Sequence, residues 1–167
     1  GYAEVAKLFR AAAASEFHHS RNMLIASESL GSTLRNLEAS AAREQEEFEQ
    51  LYPGFLLNAG KAGSRRATIA YDCALHAEKV HHKLFLEALD CLRQGRDMPP
   101  RRYFTCLRCG YTHDGDSPPN LCPACGADRF KFEENKKKGA AAPDLRTNPR
   151  NPCHYARRWY NVRHYGN

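Results

Sequence analysis

The chain has 167 residues, 42% hydrophobic and 26% charged, enough for one helical bundle and a small module. No stretch is long and apolar enough to span a bilayer; the nearest candidate, Leu24 to Leu30, is broken by Ser27, Glu28 and Ser29. The net charge of +6 belongs to the C-terminal tail: residues 1–95 carry 11 Lys+Arg against 12 Asp+Glu, residues 96–134 carry 6 against 6, and residues 135–167 carry 8 against 1, which excludes reading the whole chain as a nucleic-acid binder from its charge.

In chain order, residues 2–29 are expected to form a helix, because Val5, Leu8, Phe9, Ala12, Phe17, Met23 and Leu24 recur at roughly helical spacing. Gly31 breaks the pattern, and Ser32 or Thr33 is placed to cap a second helix starting near Leu34. That helix carries Leu37, Ala41, Phe48 and Leu51 and is expected to kink or end at Pro53-Gly54. Helical structure is expected to resume at Phe55 to Leu57, before Asn58 to Gly63. A third helix is expected from about Ser64 to Leu92, with Ile69, Leu75, Val80, Leu84, Phe85 and Leu89 on its apolar stripe and Gly95 closing it. Asp97 to Arg102 reads as a short linker, Tyr103 to Phe132 as a compact cysteine module, and Glu133 to Arg150 as a connection rich in Lys, Ala and Pro. The domain boundaries that follow are 1–95, 96–134 and 135–167.

The helical part carries three ligand-type pairs at the same spacing: Glu16 with His19, Glu44 with Glu47, and Glu78 with His81. Residues three apart project from one helix face. Each pair lies in line with apolar neighbours, Met23 for the first, Leu37, Ala41 and Leu51 for the second, Leu75, Phe85 and Leu89 for the third. A single Glu of this kind is ordinarily a solvated surface residue, and Glu46 and Glu49 read that way. Buried carboxylates, by contrast, need a partner or a metal, and Glu-x-x-His pairs with glutamates on neighbouring helices are how two-metal carboxylate bundles are built. A weak repeat supports the reading: at an offset of 62 residues, Glu16 falls on Glu78, His19 on His81 and Leu24 on Leu86. Carboxylates with two imidazoles suit iron or manganese better than structural zinc. His18 and His82 point about 100° away from the pair histidines, and they and His76 read as surface or supporting residues.

Cys106-Leu-Arg-Cys109-Gly110 and Cys122-Pro-Ala-Cys125-Gly126 are two knuckles, each turning two thiolates toward one metal. Four thiolates accept iron, as an electron carrier, or zinc, as a structural ion, and spacing does not separate them. Seven cysteines, four of them in these pairs, are no disulfide framework. A reducing compartment fits, the cytoplasm or an organelle interior rather than secretion.

Over about residues 1–132 the chain closely resembles the rubrerythrins, in which a ferritin-like di-iron domain precedes a rubredoxin-like domain. The resemblance rests on Glu16-Phe-His-His19, on Glu44-Gln-Glu-Glu47 running into Leu51-Tyr52-Pro53, on Glu78-Lys-Val-His81, and on the two knuckles with 12 residues between Cys109 and Cys122. It implies a mainly α fold, a ferritin-like bundle followed by a small β-rich four-cysteine module. It implies that Glu16 and Glu78 bridge a di-iron centre, that Glu44 is a terminal ligand, that His81 holds one iron, and that His19 and Glu47 exchange as ligands to the other. Tyr52 matches a tyrosine beside the site, and Tyr103, Tyr111 and Phe130 match aromatics around the four-cysteine metal, which the family makes iron. The activity implied is reduction of hydrogen peroxide to water, with electrons from a reductase or rubredoxin passing through the four-cysteine iron, usually of the neighbouring subunit.

The family's bundle has one more helix before the first one here. A second copy or another subunit is therefore expected to cover the open apolar face, giving a homo-oligomer or a component of a larger complex. The tail interleaves Tyr155, Trp159, Tyr160 and Tyr165 with Arg157, Arg158, Arg163, His154 and His164. Protein docking ranks ahead of RNA stacking for it, and Cys153 with His154 is too isolated to make a metal site. Two other functions compete with the peroxidase: a structural subunit of a larger assembly, and an iron-oxidising ferritin-like protein, which leaves the cysteine module without a role.

Overall fold

The computed structural model describes residues 1–136; the basic aromatic tail, Cys153 and His154 lie outside the described residues. The chain divides into two compact units, one containing Gly1–Gly31 and the other beginning at Ser32. The first contains α1, Ala3–Ala26. No residue of α1 is buried, and Leu8, Phe9, Phe17 and Met23 of its expected apolar stripe are each about 70% exposed.

The second unit begins with α2, Thr33–Glu46, whose N-terminus is capped by Ser32: its Oγ accepts from the Arg35 N–H at 3.3 Å. The helix does not stop at Pro53. It passes through a π turn, Glu47–Leu51, into α3, Tyr52–Lys61. Proline has no N–H to offer the carbonyl four residues back, and the ladder shifts register just before it, the Tyr52 N–H bonding the Glu47 carbonyl. After Gly63, at φ 63°, α4 runs over Arg65–Arg93 and ends at Gly95, whose φ of 71° suits a residue without a Cβ.

α2 and α3 both pack along α4. Small residues make this possible: Ala41, Ala59, Ala77 and Ala88 are buried, with Leu89 the largest buried side chain of the helical part. His82 ties α4 to α2 through a 2.8 Å bond from its Nδ1 to the Ala41 carbonyl, and its ring meets Phe48 edge-on.

The C-terminal part of this unit is a three-stranded antiparallel sheet in the order β2-β1-β3, formed by β1 Tyr103–Cys106, β2 Thr112–Asp114 and β3 Phe132–Glu134. Thr105 pairs with Thr112 across β1 and β2. The small core is Cys106, Cys122 and Ala127, with Cys109, Cys125, Tyr111 and Phe132 against it. Phe130 sits in the short 3-10 turn Arg129–Lys131 and is 87% exposed; Phe132, not Phe130, packs on the cysteines. No helix among the described residues is long and apolar enough to cross a membrane.

Candidate metal centres

Glu44, Glu78 and His81 form the helical cluster, with one donor atom from each lying within 4.8 Å of the others. Glu44 comes from α2, and α4 supplies Glu78 and His81 from adjacent turns of one face. His81 Nδ1 lies 2.8 Å from Glu78 Oε2 and 3.8 Å from Glu44 Oε2. The Tyr52 hydroxyl donates to Glu78 Oε1 at 3.5 Å. Burial, with the nearby acids, raises the Tyr52 pKa, so the phenol keeps its proton.

Whether this set suits a cation is visible at Glu44. Its Oε2 is buried and receives no hydrogen bond, a costly arrangement for a carboxylate oxygen. Burial first, then the carboxylate of Glu78 beside it and the charge of Glu47, push Glu44 up to about 7, against the pull of Arg43. Two carboxylates and an imidazole around an unsatisfied oxygen fit a hard or borderline cation such as ferrous iron.

That shift gives a prediction with a defined sign. At pH 6, below its raised pKa, Glu44 is mostly protonated, and a metal that takes the carboxylate must expel that proton; at pH 8 it is already ionised. Ferrous loading of metal-free protein should therefore release more protons at pH 6 than at pH 8. Calorimetry in buffers of differing ionisation heat measures the release, and equal release at both pH values would contradict the assignment of Glu44.

The other ligand candidates are placed differently. Glu16 and His19 lie on α1, in the other unit, with side chains 77% and 56% exposed. Their internal geometry repeats that of the α4 pair, Glu16 Oε2 lying 3.2 Å from His19 Nδ1. Glu47, at the start of the π turn, is held by Arg43, whose Nε donates to its Oε1 at 2.7 Å, and it is not drawn into the cluster. Glu46 bonds the same arginine, and Glu49 accepts from Gln45, as surface glutamates do. His76 bonds the Asp72 carbonyl on its own helix, and His18 sits edge-on to Phe17.

Cys106, Cys109, Cys122 and Cys125 bring four sulfurs within 4.8 Å of one another. The Cys106–Cys125 and Cys109–Cys122 sulfurs are 3.8 and 3.6 Å apart. Four thiolates about 2.3 Å from one metal in a tetrahedron stand about 3.8 Å apart, whereas a disulfide requires about 2 Å. Backbone amides turn toward the sulfurs in the same way in both knuckles. The N–H groups of Arg108 and Cys109 face Cys106, and those of Ala124 and Cys125 face Cys122. Burial raises the Cys122 and Cys109 thiols; at Cys106 burial acts the same way but the amides outweigh it, and its pKa is lowered. Gly110 and Gly126, at φ 82° and 67°, provide the left-handed residue that ends each knuckle.

Two further contacts have no signal in the sequence. His81 Nε2 lies 2.9 Å from Thr112 Oγ1 on β2. Cys73, buried on α4, points its sulfur at the Ala124 carbonyl inside the second knuckle at 3.7 Å. Residues 31 and 51 positions apart meet here, and no local spacing rule reaches that far.

Comparison with known proteins agrees with both centres. The family description "Rubrerythrin" matches residues 1–89, and "Rubrerythrin, rubredoxin-like domain" matches residues 104–133. Rubrerythrin-2 of Clostridium acetobutylicum is 32% identical over 146 residues, covering 79% of each chain. Nigerythrin of Nitratidesulfovibrio vulgaris is 30% identical, covering 79% of this chain and 70% of that one. A solved structure of partially reduced nigerythrin superposes with a TM-score of 0.56 at 29% identity, covering 80% of this chain and 71% of the other. The chain belongs to the rubrerythrin family of oxidoreductases, with that family's Glu/His di-iron site in a ferritin-like helical region and its four-cysteine site in a rubredoxin-like module.

Proposed function

We propose that this protein is a non-haem di-iron peroxidase that reduces hydrogen peroxide to water, with electrons delivered through iron held by the four cysteines. The observation that carries the reading is the coexistence of two donor sets in one packed unit: Glu44, Glu78 and His81, and four cysteines whose module contacts His81 through Thr112. Peroxide needs two electrons and two protons to give two waters, and a reduced di-iron pair supplies the two electrons.

The chain's own groups do the rest. Glu44, Glu78 and His81 would hold the metal pair, with Glu16, His19 and Glu47 as the remaining ligand candidates. Tyr52 holds Glu78 Oε1 and keeps a proton beside the site. Side-chain exposures of 29% at His81 and 15% at Glu78 leave a molecule as small as peroxide a way in. In the cysteine module, amides aimed at sulfur stabilise thiolate charge, one of the means by which proteins tune such centres. The electron donor on this reading is a reductase or a rubredoxin.

The competing structural-subunit reading makes the four-cysteine metal zinc. Metal analysis with a visible spectrum separates the two. Iron at both sites and a red, reducible thiolate–iron band support the enzyme. A colourless protein holding only zinc would contradict it.

The exposed stripe of α1 extends the proposal. Leu8, Phe9, Phe17 and Met23 stand open to solvent together, and covering apolar surface is worth roughly 25 cal/mol per Å². We therefore expect the functional protein to associate, with another copy or a different subunit over that stripe. Light scattering should give a mass above that of one chain; a monodisperse, fully iron-loaded monomer would refute this.

A further inference from the structure

We propose that Thr112, on β2 of the four-cysteine module, is the positioning residue for the di-iron ligand His81 of the same chain. The inference rests on the di-iron assignment above and adds to it the residue that orients the imidazole. His81 is gripped at both ring nitrogens: Nδ1 faces the Glu78 and Glu44 carboxylates at 2.8 and 3.8 Å, and Nε2 meets Thr112 Oγ1 at 2.9 Å. The carboxylate side is where a metal sits, so Nδ1 is the ligand atom and Nε2 must carry the N–H of the neutral ring. Thr112 Oγ1 is the acceptor for that N–H. Histidine ligands are ordinarily held this way, by an acceptor on the nitrogen opposite the metal. Threonine suits the position because its hydroxyl also donates. Without metal, the other neutral tautomer can donate its Nδ1–H in a hydrogen bond to Glu78 Oε2 while the Thr112 hydroxyl donates to Nε2.

Thr112 can serve because it is fixed from several directions. It pairs with Thr105 in the sheet. On one side of His81, Cys73 Sγ reaches the Ala124 carbonyl at 3.7 Å. On the other side, Arg101 joins Glu87 of α4 to Asp114 of β2 at 2.6 and 3.1 Å. Contacts at Cys73, His81 and Glu87 thus seat the module along α4, and the hydroxyl that orients the di-iron histidine comes from the module built around the other metal.

The test compares Thr112→Val, Thr112→Ser and Arg101→Ala in the full chain. Arg101→Ala weakens the seating without touching His81. Ferrous iron is titrated anaerobically against a competing chelator, and the visible spectrum of the four-cysteine iron is followed in parallel. The expected result is helical-site affinity about 10–100-fold lower in Thr112→Val, near wild type in Thr112→Ser, and only partly lowered in Arg101→Ala, where the Cys73 and His81 contacts still seat the module, with the four-cysteine spectrum unchanged throughout. Wild-type affinity in Thr112→Val would overturn the proposal and leave the di-iron assignment standing. An equal loss in Arg101→Ala, or an altered four-cysteine spectrum in Thr112→Val, would overturn it by showing that the hydroxyl only supports the packing. A wild-type helical site that takes no iron would remove the di-iron assignment, and the proposal with it.

Discussion

Glu78→Ala should abolish iron at the helical site while leaving the four-cysteine metal in place. Glu78 is the carboxylate that contacts the rest of the cluster: its Oε2 meets His81 Nδ1 at 2.8 Å, its Oε1 accepts from Tyr52, and its charge raises the Glu44 pKa. Removing it leaves two protein donors from the grouped three and a tyrosine without an acceptor. Loss of a residue that merely supports a metal ligand costs about 10–100-fold in affinity, so loss of a ligand should exceed that. Glu44→Ala should behave alike, since Glu44 is the cluster's contribution from α2. The four cysteines use separate elements and soft sulfur donors, and they should keep their metal in both variants. Metal analysis of the two purified variants is the check. Iron persisting at the helices while the cysteine metal disappears would reverse the assignment of the sites.

The second large effect is expected from Cys109→Ser. A hydroxyl replaces one of four thiolates at a centre whose sulfurs stand 3.6 and 3.8 Å apart across the knuckles, and it is a poor donor for a soft thiolate site. Peroxide turnover driven by an electron donor should fall to background, because on the proposed function that route enters through the cysteine iron. Oxidation of a chemically pre-reduced helical site in a single turnover should survive, because the proposed function has peroxide react at the helices. Rapid mixing of reduced variant with peroxide decides the matter. Loss of the single-turnover step would mean that the module acts directly in the chemistry or in holding His81.

The parts of this architecture that local spacing encodes were legible in the sequence. A Glu and a His three apart on one helix meet whatever else the chain does, and both Glu-x-x-His pairs show that contact, at 3.2 Å for Glu16–His19 and 2.8 Å for Glu78–His81. The two knuckles were legible for the same reason, since a C-x-x-C turn aims its sulfurs by backbone geometry alone. Of the two outcomes expected at Pro53-Gly54, a kink or an end, the end does not occur: a π turn reroutes the carbonyl bonds ahead of the proline and the helix continues. Glu47 reads as a ligand from spacing and is paired with Arg43 in the structure, because an arginine four residues earlier competes for the same carboxylate. Phe130 reads as a module aromatic, yet the 3-10 turn faces it outward. Thr112 on His81 and Cys73 on the second knuckle depend on how the module seats against α4, which no periodicity records.

The central claim is that peroxide is reduced at the helical site with electrons drawn from the cysteine iron. The most direct measurement is anaerobic rapid mixing of the fully reduced protein with hydrogen peroxide, following both centres by their visible absorption and counting peroxide consumed. The account predicts rapid oxidation of the helical irons, then bleached cysteine iron regaining its red colour as it passes its electron on, with one peroxide used for every two electrons released. Peroxide that leaves the helical irons reduced, or that oxidises the cysteine iron first and equally fast in Glu78→Ala, would contradict it.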